Sequence, residues 1–77
     1  MGNLSGQLNI KTRLALFRAD HKITQQELAD AVGVTRATII AIEKENYNPS
    51  LELSFRISRY FKTDLHSIFY IQEKGDQ

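Results

Sequence analysis

The sequence contains neither cysteine nor tryptophan, and its 77 residues include only one proline, four glycines and two histidines. Without cysteine the chain has no disulfide cross-link and no thiolate ligand for a metal ion. His21 and His66 lack the His–acidic spacing of metal sites, and no glycine-rich phosphate loop is present. We therefore predict that the protein is not an enzyme and that it uses no metal or cofactor.

Long apolar runs and a strong net charge are also missing. Ten lysines and arginines stand against nine aspartates and glutamates, so the formal net charge is +1 and exerts little long-range attraction on a polyanion. No segment approaches the roughly 18 apolar residues that span a membrane, and the N-terminus lacks the apolar run of a signal peptide. These absences predict one small cytoplasmic domain with no membrane partner, stabilised by close helix packing or by a partner subunit.

Two short amphipathic segments separated by a glycine occupy the middle of the chain. Thr24 is placed to cap a helix that begins at about Gln25, and Glu27 can complete a capping box with it. Gly33 suits the left-handed residue that follows a helix, so this helix should end at Val32. The apolar stripe predicted for this helix consists of Leu28, Ala31 and Val32.

The second amphipathic segment begins almost at once, because Thr35 offers another helix cap. At about 100° per residue, Ile39 and Ile42 share one face, whereas the opposite face carries small or methyl-bearing side chains beside Arg36. Two helices joined by so short a turn have the layout of a helix-turn-helix, in which the second helix reads DNA bases in the major groove. The candidate base-contacting residues are Arg36, Ala37, Ile40 and Ala41.

The chemistry of these four side chains matches two features of base pairs. An arginine fork suits the acceptors of guanine, and apolar side chains suit the C5-methyl group of thymine. Two alternatives remain open from the sequence. Ala37 and Ala41 could serve only as helix-favouring residues, and Ile40 is either a specific methyl contact or an exposed apolar liability.

The run from about Arg13 to Phe69 resembles the phage repressor/Cro-type (Xre-like) helix-turn-helix family, especially its small stand-alone bacterial transcription regulators. The segments that carry the resemblance are TQQELA at 24–29, GVTRATI at 33–39, IE at 42–43 and YNPSLE at 47–52. The resemblance implies an all-α fold, a compact five-helix repressor-like bundle in which helices 2 and 3 form the helix-turn-helix. It also implies a homodimeric repressor that reads an inverted repeat in double-stranded DNA.

The rest of the chain can be divided to fit that architecture. The first helix is predicted from about Thr12 to His21. Its core-facing side is formed by Leu14, Phe17 and Arg18, in line with Ile10 ahead of the helix. The fourth helix should follow the cap Ser50, and the short fifth helix should run from the cap Asp64 through Phe69.

The two ends of the chain change in character. Apolar and polar residues alternate near Leu8, and residues with high β-propensity follow Phe69. These two segments can pair as a small two-stranded terminal β-ribbon. The outermost segments, 1–6 and 73–77, are polar and are predicted to be disordered. The DNA-binding domain, with a C-terminal dimerisation element, is then 7–72.

The resemblance implies an ion pair and a set of phosphate contacts. Glu43 lies on the core flank of its helix, where an unpaired carboxylate is costly, and the family joins it to an arginine of the first helix, here Arg18. Contacts with DNA phosphates are expected from Gln25, Thr35, Thr38, Lys44, Asn46, Tyr47 and Asn48. The alternative for Tyr47 is a packed loop anchor, and for Asn48 it is a turn residue before Pro49.

The sequence departs from the family pattern directly after the second motif helix. Relatives usually have glycine and then a basic residue there, whereas this chain has Glu45 and Asn46. The left-handed residue that ends the helix is therefore expected at Asn46 or, with some strain, at Glu45.

The last apolar cluster of the chain is the candidate dimer interface. It consists of Leu65, Ile68, Phe69, Tyr70 and Ile71. Some of these residues could instead close the core of the monomer, so Tyr70 and Ile71 are the stronger interface candidates. The rival from another class is a protein-binding module, such as an antitoxin-type partner of a second protein, and a second regulatory protein is an alternative partner for a DNA-binding chain.

Overall fold

The computed structural model describes residues 8–73, which form five helices and two short strands. In chain order these are β1 (Ile10–Thr12), α1 (Leu14–Asp20), α2 (Gln25–Val32), α3 (Arg36–Glu43), α4 (Leu51–Tyr60), α5 (Leu65–Ile68) and β2 (Phe69–Ile71). The predicted five-helix bundle and the predicted terminal ribbon are both confirmed. The segments predicted to be disordered lie outside the described residues, apart from Glu73.

Local capping signals determine where α2 begins and ends. The Thr24 hydroxyl accepts from the Glu27 N–H at 3.0 Å, and the Thr24 N–H donates to the Glu27 carboxylate at 2.8 Å, which completes the predicted capping box. Gly33 follows the helix with φ +81°, a conformation in which a Cβ would be strained. The caps predicted for α4 and α5 are also present, at Ser50 and Asp64.

Two predicted helix boundaries differ from the structure because the terminal ribbon takes residues from both helices. α1 begins at Leu14, since Thr12 and the two residues before it form β1. The Thr12 hydroxyl accepts from the Leu14 N–H at 3.0 Å and donates to the Ile68 carbonyl at 3.1 Å. α5 correspondingly ends at Ile68, and Phe69 opens β2. The antiparallel register pairs Ile10 with Ile71, Lys11 with Tyr70 and Thr12 with Phe69.

A small apolar core holds the helices together. Its buried members are Leu14, Leu28, Ala29, Val32, Ile39, Ile42, Leu53, Ile57, Phe61 and Ile68. The predicted stripe of α2 was wrong at one position, because Ala31 is exposed and Ala29 is buried. Ala29 and Ala31 lie on opposite flanks of Leu28 and Val32, and the packing of α3 and α4 against α2 covers only the flank that contains Ala29. None of the helices in residues 8–73 is long and apolar enough to cross a membrane.

Candidate nucleic-acid interface

The outward face of α3 combines one long cation with small and methyl-bearing side chains. Ile39 and Ile42 are buried against the rest of the core and fix this helix from behind. On the other side Arg36 and Ala37 are exposed, while Ile40 and Ala41 keep part of their surface open. The four predicted base-contacting residues therefore share one accessible face, as the helical period required.

Arg36 is available to an external acceptor. Within residues 8–73 its guanidinium forms no hydrogen bond and no ion pair. The neighbouring cap is internally satisfied, since the Thr35 hydroxyl accepts from the Thr38 N–H at 3.3 Å and lies 3.1 Å from the Thr38 hydroxyl. Within the described residues, Arg36 is thus the polar side chain of the first turn of α3 that has no hydrogen-bond partner.

A largely buried polar cluster beside Arg36 joins three helices. Arg18 donates to Glu43 through Nε at 2.7 Å and through Nη2 at 3.2 Å, and its Nη1 donates to the Ile23 carbonyl at 3.1 Å. The Glu43 side chain is only 8% exposed, and the hydrogen bond to it raises the pKa of the Arg18 guanidinium. Gln25 completes the cluster by donating from Nε2 to Glu43 at 3.0 Å. This last contact was not predicted, because it depends on the crossing of α2 and α3.

A concave, cation-rich surface lies at the N-terminal end of α2. We call it the basic cleft, and its residues are Arg18, Lys22, Ile23, Thr24, Gln25, Gln26 and Arg36. The N–H groups of Gln25 and Gln26 point out of the first turn and have no acceptor within residues 8–73. Free helix N–H groups beside cations attract a phosphate. Lys22 was not predicted as part of this surface, although its position just before the Thr24 cap was a usable signal.

The loop that follows α3 carries the remaining predicted phosphate contacts on its surface. Lys44, Asn46, Tyr47 and Asn48 are all exposed. Tyr47 is 47% exposed, so the alternative of a packed anchor receives no support from burial. The loop is held at its start by a hydrogen bond from the Asn46 N–H to the Ala41 carbonyl at 2.9 Å.

The terminal ribbon carries a shallow apolar depression, which we call the terminal patch. Its residues are Ile10, His66, Phe69, Tyr70 and Ile71. Arg13 lies over the Tyr70 ring with Cζ 4.0 Å from the centroid, so this ring is held in place by a cation–π contact. Leu65 lies outside the patch and is half-buried. Ile68 is fully buried within the chain and has no surface to offer a second subunit, which corrects its assignment to the interface.

Comparison with known proteins places this geometry in a family. A family model described as helix-turn-helix matches residues 14–68, from the start of α1 to the end of α5. The chain belongs to the helix-turn-helix family. This result confirms the resemblance, and the family is one of DNA-binding transcriptional regulators and not of enzymes.

Curated relatives of this helix-turn-helix chain have nearly the same length. An HTH-type transcriptional regulator of Methanocaldococcus jannaschii is 45% identical over 64 residues, which are 83% of this chain and 97% of that protein. One of Archaeoglobus fulgidus is 46% identical over 65 residues, 84% of this chain and 92% of that protein. Among solved structures, the transcriptional regulator VanUg is 25% identical with a TM-score of 0.72, covering 96% of this chain and 100% of that one.

Glu45, the departure from the family pattern, has a role that was not predicted. Glu45 itself adopts the left-handed conformation, with φ +64°, and Asn46 does not. Its carboxylate turns towards β1, where Oε2 accepts from the Thr12 N–H at 2.9 Å and Oε1 accepts from Lys11 Nζ at 3.0 Å. These hydrogen bonds, the backbone one first, lower the pKa of Glu45. Glu45, the second residue after α3, is thereby bound to the terminal ribbon.

Replacing Glu45 with glutamine should make the protein less sensitive to acid. A carboxyl group whose pKa is lowered by folding adds stability above its unfolded pKa of about 4.3, and this stability is lost as the pH falls through the folded value. The difference in unfolding free energy between the parent protein and Glu45→Gln should therefore be largest near pH 7. It should decrease as the pH falls below about 4. Urea unfolding followed by circular dichroism across this range measures the gap.

Asp64 provides an internal reference for that experiment. Its pKa is also lowered, by hydrogen bonds from the Ser67 hydroxyl and N–H, and it is present in both proteins. Acid therefore still weakens Glu45→Gln, and only the difference between the two proteins reports on Glu45. Glu52→Gln, on the exposed surface of α4, is the charge-matched control. A gap that stays constant from pH 7 to pH 3 would contradict the role assigned to the Glu45 carboxylate.

Proposed function

We propose that this DNA-binding regulator is a homodimeric repressor that reads an inverted repeat with α3 in the major groove. The observation that supports this most is the accessible face of α3, where Arg36, unpaired among the described residues 8–73, adjoins the small side chains Ala37 and Ala41. Small residues allow the helix backbone to approach the groove floor, and the arginine fork matches O6 and N7 of guanine. Covering a promoter in this way is the simplest route to repression.

The basic cleft and the loop after α3 would grip the phosphates on either side of that groove. Gln25 would contribute through its N–H, which has no acceptor in the described part of the chain, because its side-chain amide already donates to Glu43. Lys22 joins the earlier set as a cation of the same cleft. The complete set of proposed phosphate contacts is Lys22, Gln25, Thr35, Thr38, Lys44, Asn46, Tyr47 and Asn48. With a net charge of only +1, affinity has to come from such local contacts.

Dimerisation would supply the selectivity that one α3 lacks. A single recognition helix reaches only a few base pairs, and two symmetric subunits read half-sites about 34 Å apart. The terminal patch is the proposed seam, with Tyr70 and the 47% exposed Ile71 at its centre and Phe69 and Leu65 beside them. An apolar depression at the edge of a two-stranded ribbon suits a self-complementary contact.

Selection of bound sequences from a random duplex pool tests this function. We expect an inverted repeat to be enriched, with light scattering reporting two chains on each duplex. Ile71→Lys places a charge in the seam and should leave one chain on a half-site with much weaker binding. Enrichment of a single unrepeated half-site by one chain would refute the dimer, and no enrichment would refute sequence-specific DNA binding.

A protein-binding module is the second candidate, and the outer surface of α4 favours it. Leu51 is 67% exposed and Phe55 is 50% exposed, and they lie one helical turn apart. Neither belongs to the basic cleft or to the terminal patch. A second regulatory protein that docks there would act on a DNA-bound dimer, whereas an antitoxin-type role would need no DNA. The selection experiment separates these two forms of protein binding, because only a DNA-bound dimer requires an enriched operator.

A further inference from the structure

We propose that α3 recognises the C5-methyl group of a pyrimidine through Ile40, so that thymine and 5-methylcytosine satisfy it and uracil and cytosine do not. This inference rests on the proposed DNA-binding function and names the chemical group that the same site reads. It makes operator binding sensitive to cytosine methylation wherever a cytosine occupies the position of the contacted thymine.

Two rows of side chains on α3 support this reading. Residues four apart stack along a helix, so Arg36, Ile40 and Lys44 form one row and Ala37 and Ala41 form the row beside it. The side chains of the first row are long and those of the second row are short. The helix can therefore approach a base pair on the alanine side, while the Ile40 side chain extends towards that base pair. Ile40 is half-buried on the protein side, and its remaining surface is apolar.

These two rows lack the polar side chains that recognise other features of the base pairs. Between Arg36 and Lys44 the two rows contain no amide to read adenine and no carboxylate to accept from cytosine N4. The nearby Thr38 hydroxyl lies 3.1 Å from that of Thr35 and is proposed to contact a phosphate, and the Gln25 amide donates to Glu43. The major-groove feature that an aliphatic side chain recognises is the methyl group at pyrimidine C5.

The size of the effect follows from the burial of one methyl group. Removing a methyl from a dehydrated apolar contact should weaken binding about threefold to fivefold. In a symmetric dimer the same change in both half-sites acts twice, so the combined loss should be about tenfold to twenty-fivefold.

The experiment uses the operator recovered by selection and alters single methyl groups within it. Each thymine is replaced in turn by deoxyuridine, symmetrically in both half-sites, and the dissociation constant of the full chain is measured at fixed salt concentration. At the most sensitive position, duplexes with cytosine and with 5-methylcytosine are then compared. We expect about tenfold to twenty-fivefold weaker binding at one thymine position or two, and an equal gain when cytosine at the most sensitive position is methylated.

Ile40→Ala identifies the side chain responsible. Alanine is compatible with the helix but is too short to contact the methyl group. The variant should therefore bind operators with thymine and with deoxyuridine equally at one sensitive position. It should retain the preference for guanine that is assigned to Arg36. Leu16→Ala, an exposed aliphatic truncation on α1, is the matched control and should keep full methyl dependence.

The possible results separate the two levels of the proposal. Specific operator binding that is indifferent to every methyl group would overturn the methyl reading and leave the regulator function intact. Full methyl dependence retained by Ile40→Ala would overturn the assignment to Ile40. Failure to enrich any operator would overturn both the regulator function and this inference.

Discussion

Replacing Arg18 with alanine is expected to lower the free energy of unfolding by about 2–4 kcal/mol. The change removes both hydrogen bonds to Glu43 and leaves the Ile23 carbonyl without its side-chain donor. Glu43 is 8% exposed and would keep only the amide of Gln25, so its charge would be stranded in a poorly solvated position. Urea unfolding at pH 7, followed by circular dichroism, measures the loss.

The chain offers a matched control for this prediction. Arg56 and Glu52 form a second arginine–glutamate pair at 2.8 Å, but their side chains are 48% and 76% exposed. Arg56 also donates to the Val32 carbonyl at 3.0 Å, so Glu52→Ala is the variant that breaks the exposed pair and keeps this contact. It should cost less than about 1 kcal/mol. Equal losses for Arg18→Ala and Glu52→Ala would show that burial does not strengthen the first pair.

A double-mutant cycle separates the Arg18–Glu43 interaction from the cost of stranding a charge. If the stranded carboxylate dominates, Arg18→Ala combined with Glu43→Ala should be more stable than Arg18→Ala alone. An unchanged unfolding free energy in Arg18→Ala would refute the structural role of the pair, whatever the double variant shows.

The helix boundaries that were predicted correctly depend on neighbours in sequence. Thr24 and Glu27 form a capping box from residues three apart, and Gly33 ends α2 because a single backbone angle requires it. Contacts between distant segments produced the errors. Ala29 was missed because only the packing of α3 and α4 decides which flank of α2 is covered. The start of α1 was misplaced because Thr12 is held by Ile68, far along the chain.

The same distinction applies to the candidate interface. The face of α3 follows from helical periodicity, so Arg36, Ala37 and Ile40 could be assigned to one surface from the sequence. The contact of Glu45 with β1 spans more than thirty residues, and no local pattern indicates it. Lys22 needs the fold to bring it beside Arg36. Sequence periodicity therefore predicts which residues share a surface, whereas the contacts of Glu45 with β1 and of Gln25 with Glu43 require the structure.

Replacing Arg36 with alanine should weaken operator binding by about 1–3 kcal/mol in each half-site, or roughly fivefold to 150-fold, and leave the fold intact. Arg36 is exposed and unpaired within residues 8–73, so its removal strands no partner inside the protein. The loss should be confined to the operator, because the proposed contact is with a guanine edge and carries sequence information. Affinities for the operator and for a random duplex of equal length, measured at the same salt concentration, test this.

Lys44→Ala supplies the contrast that makes the Arg36 result interpretable. Lys44 ends the same row of α3 side chains, and its ammonium is proposed to contact a phosphate. Its removal should weaken operator and random DNA by the same factor and reduce the slope of log affinity against log salt by about one per subunit. If Arg36→Ala instead weakened binding to the operator and to random DNA equally, Arg36 would be a phosphate contact. Recognition of guanine would then have to be assigned to another residue.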